Sequence, residues 1–283
     1  MVTKSFTNST PALRIDGFNE LVYIRSNWSF TVRRHRFKKG HNTMAKIQYA
    51  QKDRIAVITL DDGKVNAMNY EFFNELNDAL DRAQADAAGA VIFTCRTAIF
   101  SAGLDLKLIA SQSLMEQMKF LKVFAETMLR IYQFPIPTIA AYRGHSVAGG
   151  LILSCACDRI MVSDGPYKMQ LNEVITGMLL PSWILLICRS AIPPHAWTEA
   201  LLHARAYTPR EAFERGIVDE LIAEDADVGQ AAEGYARGLL NLKLHAYDAA
   251  KKLLRERDAA NVLDVFEKEL MTWYMRYGAP GQS

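Results

Sequence analysis

From residue 44 onwards, apolar and polar positions follow two alternating rhythms. Residues 46–50 and 54–60 form short apolar stretches on either side of Gln51-Lys52-Asp53, which predicts a β-hairpin. Phe72, Phe73, Leu76 and Leu80 then recur at helical spacing behind Asn69, a residue type that favours helix N-caps. Ala90–Cys95 reads as a short buried strand, residues 114–133 as an amphipathic helix, and residues 137–142 as an apolar strand opened by a proline. Residues 148–157 follow as a buried helix and 159–162 as a strand. Thr208-Pro209-Arg210-Glu211 places Pro at the first helical position and Glu at the third, a helix start that Gly216 closes. From Asp227, a plausible cap, to Tyr277 the chain is almost entirely helical. Strands alternating with helices, then a helical tail, predict an α/β domain with crossover connections.

Composition agrees with a folded chain. Of 283 residues, 50% are hydrophobic and 23% charged, which supplies a core and excludes a disordered or collagen-like protein. The 33 Lys and Arg against 31 Asp and Glu are nearly balanced, yet residues 1–43 alone carry +6, leaving −4 for the rest. Residues 1–43 therefore read as a basic extension outside the fold: translated upstream sequence with Met44 as the start, or else an organelle-targeting peptide or a basic arm. No apolar stretch reaches the ~20 residues of a membrane span, and no secretory h-region is present. The expected location is cytoplasmic, or mitochondrial if residues 1–43 serve as a transit peptide. Cys95, Cys155, Cys157 and Cys188 sit in apolar runs with no second pair or nearby His to complete a zinc site, as expected of small buried hydrophobes.

Three segments carry candidate chemistry. Residues 100–107 and 144–150 each hand a strand over to a helix through small residues. Backbone N–H groups left unpaired at such turns, aided by a helix dipole, suit a developing oxyanion, although glycines there also serve close packing. The third segment contains Glu173, the one acid between Asp164 and Glu199, in a stretch without Lys or Arg from 169 to 188. An acid so isolated among apolar residues should have a raised pKa, as suits a general base near neutrality; a solvent-facing turn acid is the plainer reading.

Taken in order, S-A-G-L-D-L-K (101–107), G-H-S-V-A-G-G (144–150), C-D-R-I (157–160) and L-N-E-V-I-T-G (171–177) resemble the crotonase superfamily, the enoyl-CoA hydratase/isomerase group. V-N-A-M (65–68) and T-P-R-E-A-F-E-R-G-I-V-D (208–219) extend the resemblance over residues 46–222. It implies a crotonase-type ββα spiral core over residues 44–222 and a C-terminal helical trimerisation region over 223–283, in a homotrimer or hexamer. It further implies an acyl-CoA substrate whose thioester oxygen lies between the backbone N–H groups of Leu104 and Gly149, with no metal or redox cofactor. Lys107 matches a position that meets the CoA phosphates, and Ala67 and Ala102 line the CoA cleft. Asp105 is expected to cap the following helix.

One departure directs the functional reading. Hydratases of the group carry a second glutamate three residues beyond the glycine of the second turn, and Ile152 occupies that place here. Its side chain is expected to look back towards the thioester. With Glu173 alone, the chain resembles the mitochondrial-type Δ3,Δ2-enoyl-CoA isomerases, in which one base removes a proton from C2 and returns it at C4. The alternatives are 2-enoyl-CoA hydration, or thioester hydrolysis or decarboxylation. A different class, a non-catalytic acyl-CoA- or RNA-binding protein, has the basic run 33–39 with Phe37 in its favour and the intact Glu173 and glycine turns against it. Asn172 either orients Glu173 or closes its turn. His145 is expected to be structural. Met118, Phe120, Phe124 and Met128 either line an acyl pocket or pack as core.

Overall fold

The computed structural model describes residues 46–278, so the expectations for residues 1–43 lie outside the described residues. The hairpin strands β1 (Ile47–Lys52) and β2 (Ile55–Leu60) pair antiparallel, with Lys52 opposite Ile55. The turn is therefore only Asp53-Arg54, both at positive φ (51° and 61°), the two-residue geometry that matches strand twist. Next comes α1 (Tyr70–Ala85), whose Asn69 cap accepts the Phe72 N–H at 3.0 Å and whose Phe72, Phe73, Leu76 and Leu80 are buried.

The chain then repeats one unit three times: a longer strand, a short strand, and a helical segment. The repeats are β3 (Ala90–Cys95) and β4 (Ile99–Ser101) with α2 (Leu106–Ser111) and α3 (Leu114–Tyr132); β5 (Thr138–Tyr142) and β6 (His145–Val147) with α4 (Gly149–Ala156); and β7 (Arg159–Ser163) and β8 (Met169–Gln170) with α5 (Ser182–Ala191). Longer strands pair with longer ones in a six-stranded sheet ordered β1-β2-β3-β5-β7-β9, parallel beyond the hairpin, and short strands pair in a parallel three-stranded sheet, β4-β6-β8. Strand β9 (Glu220–Ile222) follows α6 (Pro209–Glu214), where Thr208 and Glu211 form the expected capping box and Gly216 turns the chain at φ 73°. This two-strand repeat is the ββα spiral anticipated from the sequence.

Two further helices follow β9 among the described residues. One is α7 (Val228–Leu239), capped by Asp227, which packs Val228, Ala232 and Ala236 against Ile92, Ile139 and Met161 of the large sheet. Covered on both faces, those strands are mostly apolar and buried, as expected of parallel strands enclosed by helices. The other, α8 (Leu244–Tyr277), lies against α3 and α5 and is anchored at Asp158, just beyond the end of α4. Tyr247 Oη (2.8 Å), Lys251 Nζ (2.7 Å) and Arg255 (2.8 Å) all donate to that carboxylate. Burial alone would raise the Asp158 pKa, but the two cations outweigh it and hold the group ionised. No helix among the described residues is long and apolar enough to cross a membrane.

Candidate active site

Parallel pairing brings the C-terminal ends of β4, β6 and β8 together, and each short strand leads into one of the three candidate segments. Ser101 pairs with Ser146, and Val147 with Gln170. Strand β6 lies inside residues 144–150, whose small residues alone suggest a single turn, and it is too short for a period of two to register.

In the first segment nearly every backbone donor is committed. The Ala102 N–H bonds to Val65 O (3.0 Å), Gly103 N–H to Ser101 Oγ (3.0 Å) and Asp105 N–H to Met68 O (3.0 Å). The Leu104 N–H between them has no acceptor among the described residues. Asp105 caps α2 as expected, accepting from Lys107 and Leu108 N–H at 3.1 Å. In the second segment Ala148 holds φ 50°, an unusual conformation for a residue with a side chain, and its N–H bonds to Gln170 O at 2.8 Å. That bend starts α4 at Gly149, whose N–H, like others in a helix's first turn, has no partner within the helix.

The two turns interlock through their glycines. A Cβ on Gly103, itself at φ 86°, would lie 2.8 Å from Ala148 Cβ and 2.9 Å from Gly149 N. One on Gly150 would lie 2.4 Å from Ser101 O. Close packing thus bears on both segments at once, because the glycines that let the turns touch bring Gly103, the neighbour of Leu104, against Gly149.

Both residues line a cavity of about 760 Å³, measured out to its mouth. Ala102 and Ala148 share that wall, and Asn172, Glu173 and Thr176 face it from the third segment. Phe124 comes from α3, Trp183 and Ile184 from α5, and Phe266, Leu270, Trp273 and Tyr274 from α8. Glu173 is the only acidic residue among the described residues of this lining. It is 5% exposed, and its Oε2 is buried without a hydrogen-bond partner. Burial pushes its pKa up to about 7, against a smaller opposing pull from its own backbone N–H.

That shift fixes a pH dependence. The folded chain keeps the Glu173 proton up to about pH 7, whereas an unfolded glutamate releases it near 4.5. Between those values the native state binds more protons, so stability falls as pH rises through the window. At ~1.4 kcal/mol per pH unit, the ionised acid costs on the order of 3 kcal/mol above pH 7. Thermal unfolding of the wild type at pH 5 and pH 8 should show this loss, and Glu173→Gln should abolish it; an equal loss in the variant would place the titrating group elsewhere.

Other expectations resolve individually. Ile152 is fully buried in the main core and is not part of the cavity wall, which corrects the expectation that it faces the thioester. Because α4 is buried on all sides, its second turn points into the core. Of the four α3 residues, Phe124 lines the cavity, Phe120 and Met128 are core, and Met118 packs against the core from its edge. His145 Nδ1 accepts the Lys168 N–H at 2.9 Å, a structural role. Asn172 closes the turn through its backbone oxygen, which accepts from Thr176 N–H at 3.0 Å. Ala67 is half-buried beside Met68 and Lys107 is exposed in the first turn of α2; neither belongs to the cavity wall. Cys155, Cys157 and Cys188 are buried thiols, and among the described residues no cluster of His, Cys, Asp or Glu could hold a metal.

The model of the enoyl-CoA hydratase/isomerase family matches residues 50–276. The chain belongs to that family. It is 29% identical to rat mitochondrial enoyl-CoA delta isomerase 1 over 77% of its length and 76% of the relative's. With the probable enoyl-CoA hydratase EchA17 of Mycobacterium tuberculosis it shares 30% identity over 77% of its length and 80% of the relative's. Among solved structures, an enoyl-CoA isomerase of M. tuberculosis superposes with TM-score 0.74 at 31% identity, covering 81% of this chain and 98% of the other. Human mitochondrial delta3-delta2-enoyl-CoA isomerase superposes with TM-score 0.75 at 27% identity, covering 82% and 91%. The crotonase fold read from the motifs is therefore the fold of this chain, and the protein is an enzyme of the enoyl-CoA hydratase/isomerase family. The α5 and α8 contributions to the cavity of this family member have no distinct signal in the sequence. Phe266, Leu270, Trp273 and Tyr274 do recur at helical spacing, but that pattern announces a buried stripe without saying what it faces.

Proposed function

We propose that this enzyme shifts the double bond of a 3-enoyl-CoA into conjugation with its thioester, the Δ3 to Δ2 isomerisation. The observation that carries the reading is the lone buried carboxylate of Glu173 in a cavity whose remaining described walls are apolar or neutral. Glu173 removes a proton from C2; the electrons pass into a dienolate whose oxygen accepts from the Leu104 and Gly149 N–H groups. The same carboxyl then protonates C4, leaving the double bond between C2 and C3. A base with a pKa of about 7 is matched to taking and returning one proton near neutral pH. Ala102 and Ala67 border the coenzyme, and Lys107, exposed on α2, meets its phosphates. The reaction needs no metal or redox cofactor, since the coenzyme A thioester is itself the substrate.

Hydration needs a water held for attack at C3 while a proton goes to C2, and Ile152 inside the core offers no second acid for that. The names of the relatives include both activities, so the discriminating experiment is direct. Initial rates on 3-enoyl-CoA and 2-enoyl-CoA of equal chain length, run in D2O, should show isomerisation exceeding hydration by at least ~10²-fold, the lower end of what one acid–base group contributes. Comparable rates would overturn the isomerase reading in favour of hydratase.

The buried acid and intact turns support catalysis over a non-catalytic acyl-CoA- or RNA-binding role. A homotrimer or hexamer is the proposed assembly, supported by apolar side chains that α8 leaves in solvent, Leu253 at 89% and Leu254 at 73% exposure. The mitochondrial names of the rat and human relatives support a mitochondrial location with residues 1–43 as transit segment, beside the cytoplasmic one expected from the sequence.

A further inference from the structure

We propose that Ser101, held by Asn66, is a positioning residue that sets the separation between the Leu104 and Gly149 N–H groups. The inference rests on the oxyanion reading above. Neither residue touches the cavity. Ser101 is fully buried, and its hydroxyl is used twice: it donates to Asn66 O at 2.7 Å and accepts from Gly103 N–H at 3.0 Å. The second bond fixes the residue immediately before Leu104. On its other side, the Ser101 backbone carbonyl and Cβ lie where a Gly150 side chain would begin, at 2.4 and 3.0 Å. Ser101 therefore abuts the residue immediately after Gly149. One small side chain stands between the two turns and touches the neighbour of each donor.

Asn66 holds that side chain in place. It is 1% exposed and sits at φ 52°, a left-handed conformation that Asn tolerates better than most residues. Its Nδ2 is directed at the carbonyls of Ile99 (2.9 Å), Phe100 (3.2 Å) and Leu60 (3.3 Å), and its Oδ1 accepts the Asp62 N–H at 2.8 Å. The amide thus ties the end of β2 to β4, the strand that ends in Ser101. Met68, two residues on, is bonded to Gly103 O and Asp105 N–H, at 2.8 and 3.0 Å. From 65 to 68 the chain is a template against which the first turn is laid, and Ser101 is the peg joining it to the second.

The test uses an acyl-CoA that reports on the oxyanion site without turnover. A 3-ketoacyl-CoA loses its C2 proton to give an enolate with a strong ultraviolet absorption, so the pH at which the bound ligand ionises measures how well its oxygen is stabilised. Wild type should lower that pH relative to free ligand; failure to do so would remove the oxyanion reading itself. Given that reading, Ser101→Ala should raise the ionisation pH of the bound ligand by about one to two units. It should also lower isomerisation kcat by about 10- to 100-fold with KM changed less than about threefold, as expected for donors displaced by a fraction of an ångström. Ser101→Thr keeps the hydroxyl and should recover most of both losses. Wild-type ionisation in Ser101→Ala, or Thr no better than Ala, would overturn the positioning role while leaving the oxyanion reading intact. If Ser101→Ala does not fold, Asn66→Asp carries the test: it preserves size and left-handed tolerance but loses the Nδ2 donors, and the same shift is expected.

Discussion

Glu173→Gln is expected to reduce turnover of 3-enoyl-CoA by ~10²- to 10⁴-fold, the range for removing a general base, while substrate still binds. Glutamine has the shape of glutamate and fills the same buried place but cannot carry the proton. Its amide ends the desolvation cost of a charge, so the variant should unfold at a higher temperature than wild type at pH 8. Activity and stability should thus move in opposite directions. In the wild type, kcat/KM should rise with pH through about 7 as the carboxylate forms. Retention of more than about a tenth of wild-type turnover by the variant would show that another group moves the proton.

The second large effect is expected at a residue with no side chain. Gly103→Ala puts a methyl group 2.8 Å from Ala148 Cβ and 2.9 Å from Gly149 N, where backbone and a short side chain cannot give way. The turns must separate, and the two N–H groups with them. Losing one oxyanion donor costs ~10²- to 10³-fold in rate, and an ångström of displacement comes close to losing it. Holding alanine at φ 86° adds about 1–2 kcal/mol of destabilisation. Gly149→Ala is the control. Its nearest obstacle is the Met68 thioether at 2.9 Å, and the backbone of the facing turn, Gly103 Cα, is farther off at 3.3 Å, so its loss should be smaller. Equal kcat values for the two variants would show that the spacing of the turns does not govern the rate.

Much of this was legible because local signals and tertiary structure agreed. Asn69, Thr208 and Asp227 cap the helices they precede, each through its own side chain. Ala90–Cys95 and residues 137–142 read as buried strands because both faces of the large sheet are covered. Glu173 stood out by its isolation, and burial gives it the raised pKa that isolation suggested. The failures have equally physical causes. The hairpin turn fell on Asp53-Arg54 because nothing in a charged run marks which two residues take positive φ. Strands β4, β6 and β8 contain two or three residues each and exist only through one another. Ile152 was placed by counting from Gly149, but a helix buried all round has no solvent face to set its rotation, so the count could not tell cavity from core. Nothing nearby in the chain marks Asn66, because its value lies in partners more than 30 positions away.

The far wall of the cavity has a consequence for how the enzyme is made. Phe266 follows Glu173 by 93 residues, which at ~5–20 residues per second is about 5–20 seconds of synthesis. Until α8 is made, Trp183 lacks the Phe266 ring that packs edge-on against it, 6.2 Å between centroids, and the cavity lacks its far wall. The acid and both turns are therefore made before the wall that encloses their cavity, and Tyr247, Lys251 and Arg255 follow to clasp Asp158 and hold that helix in place.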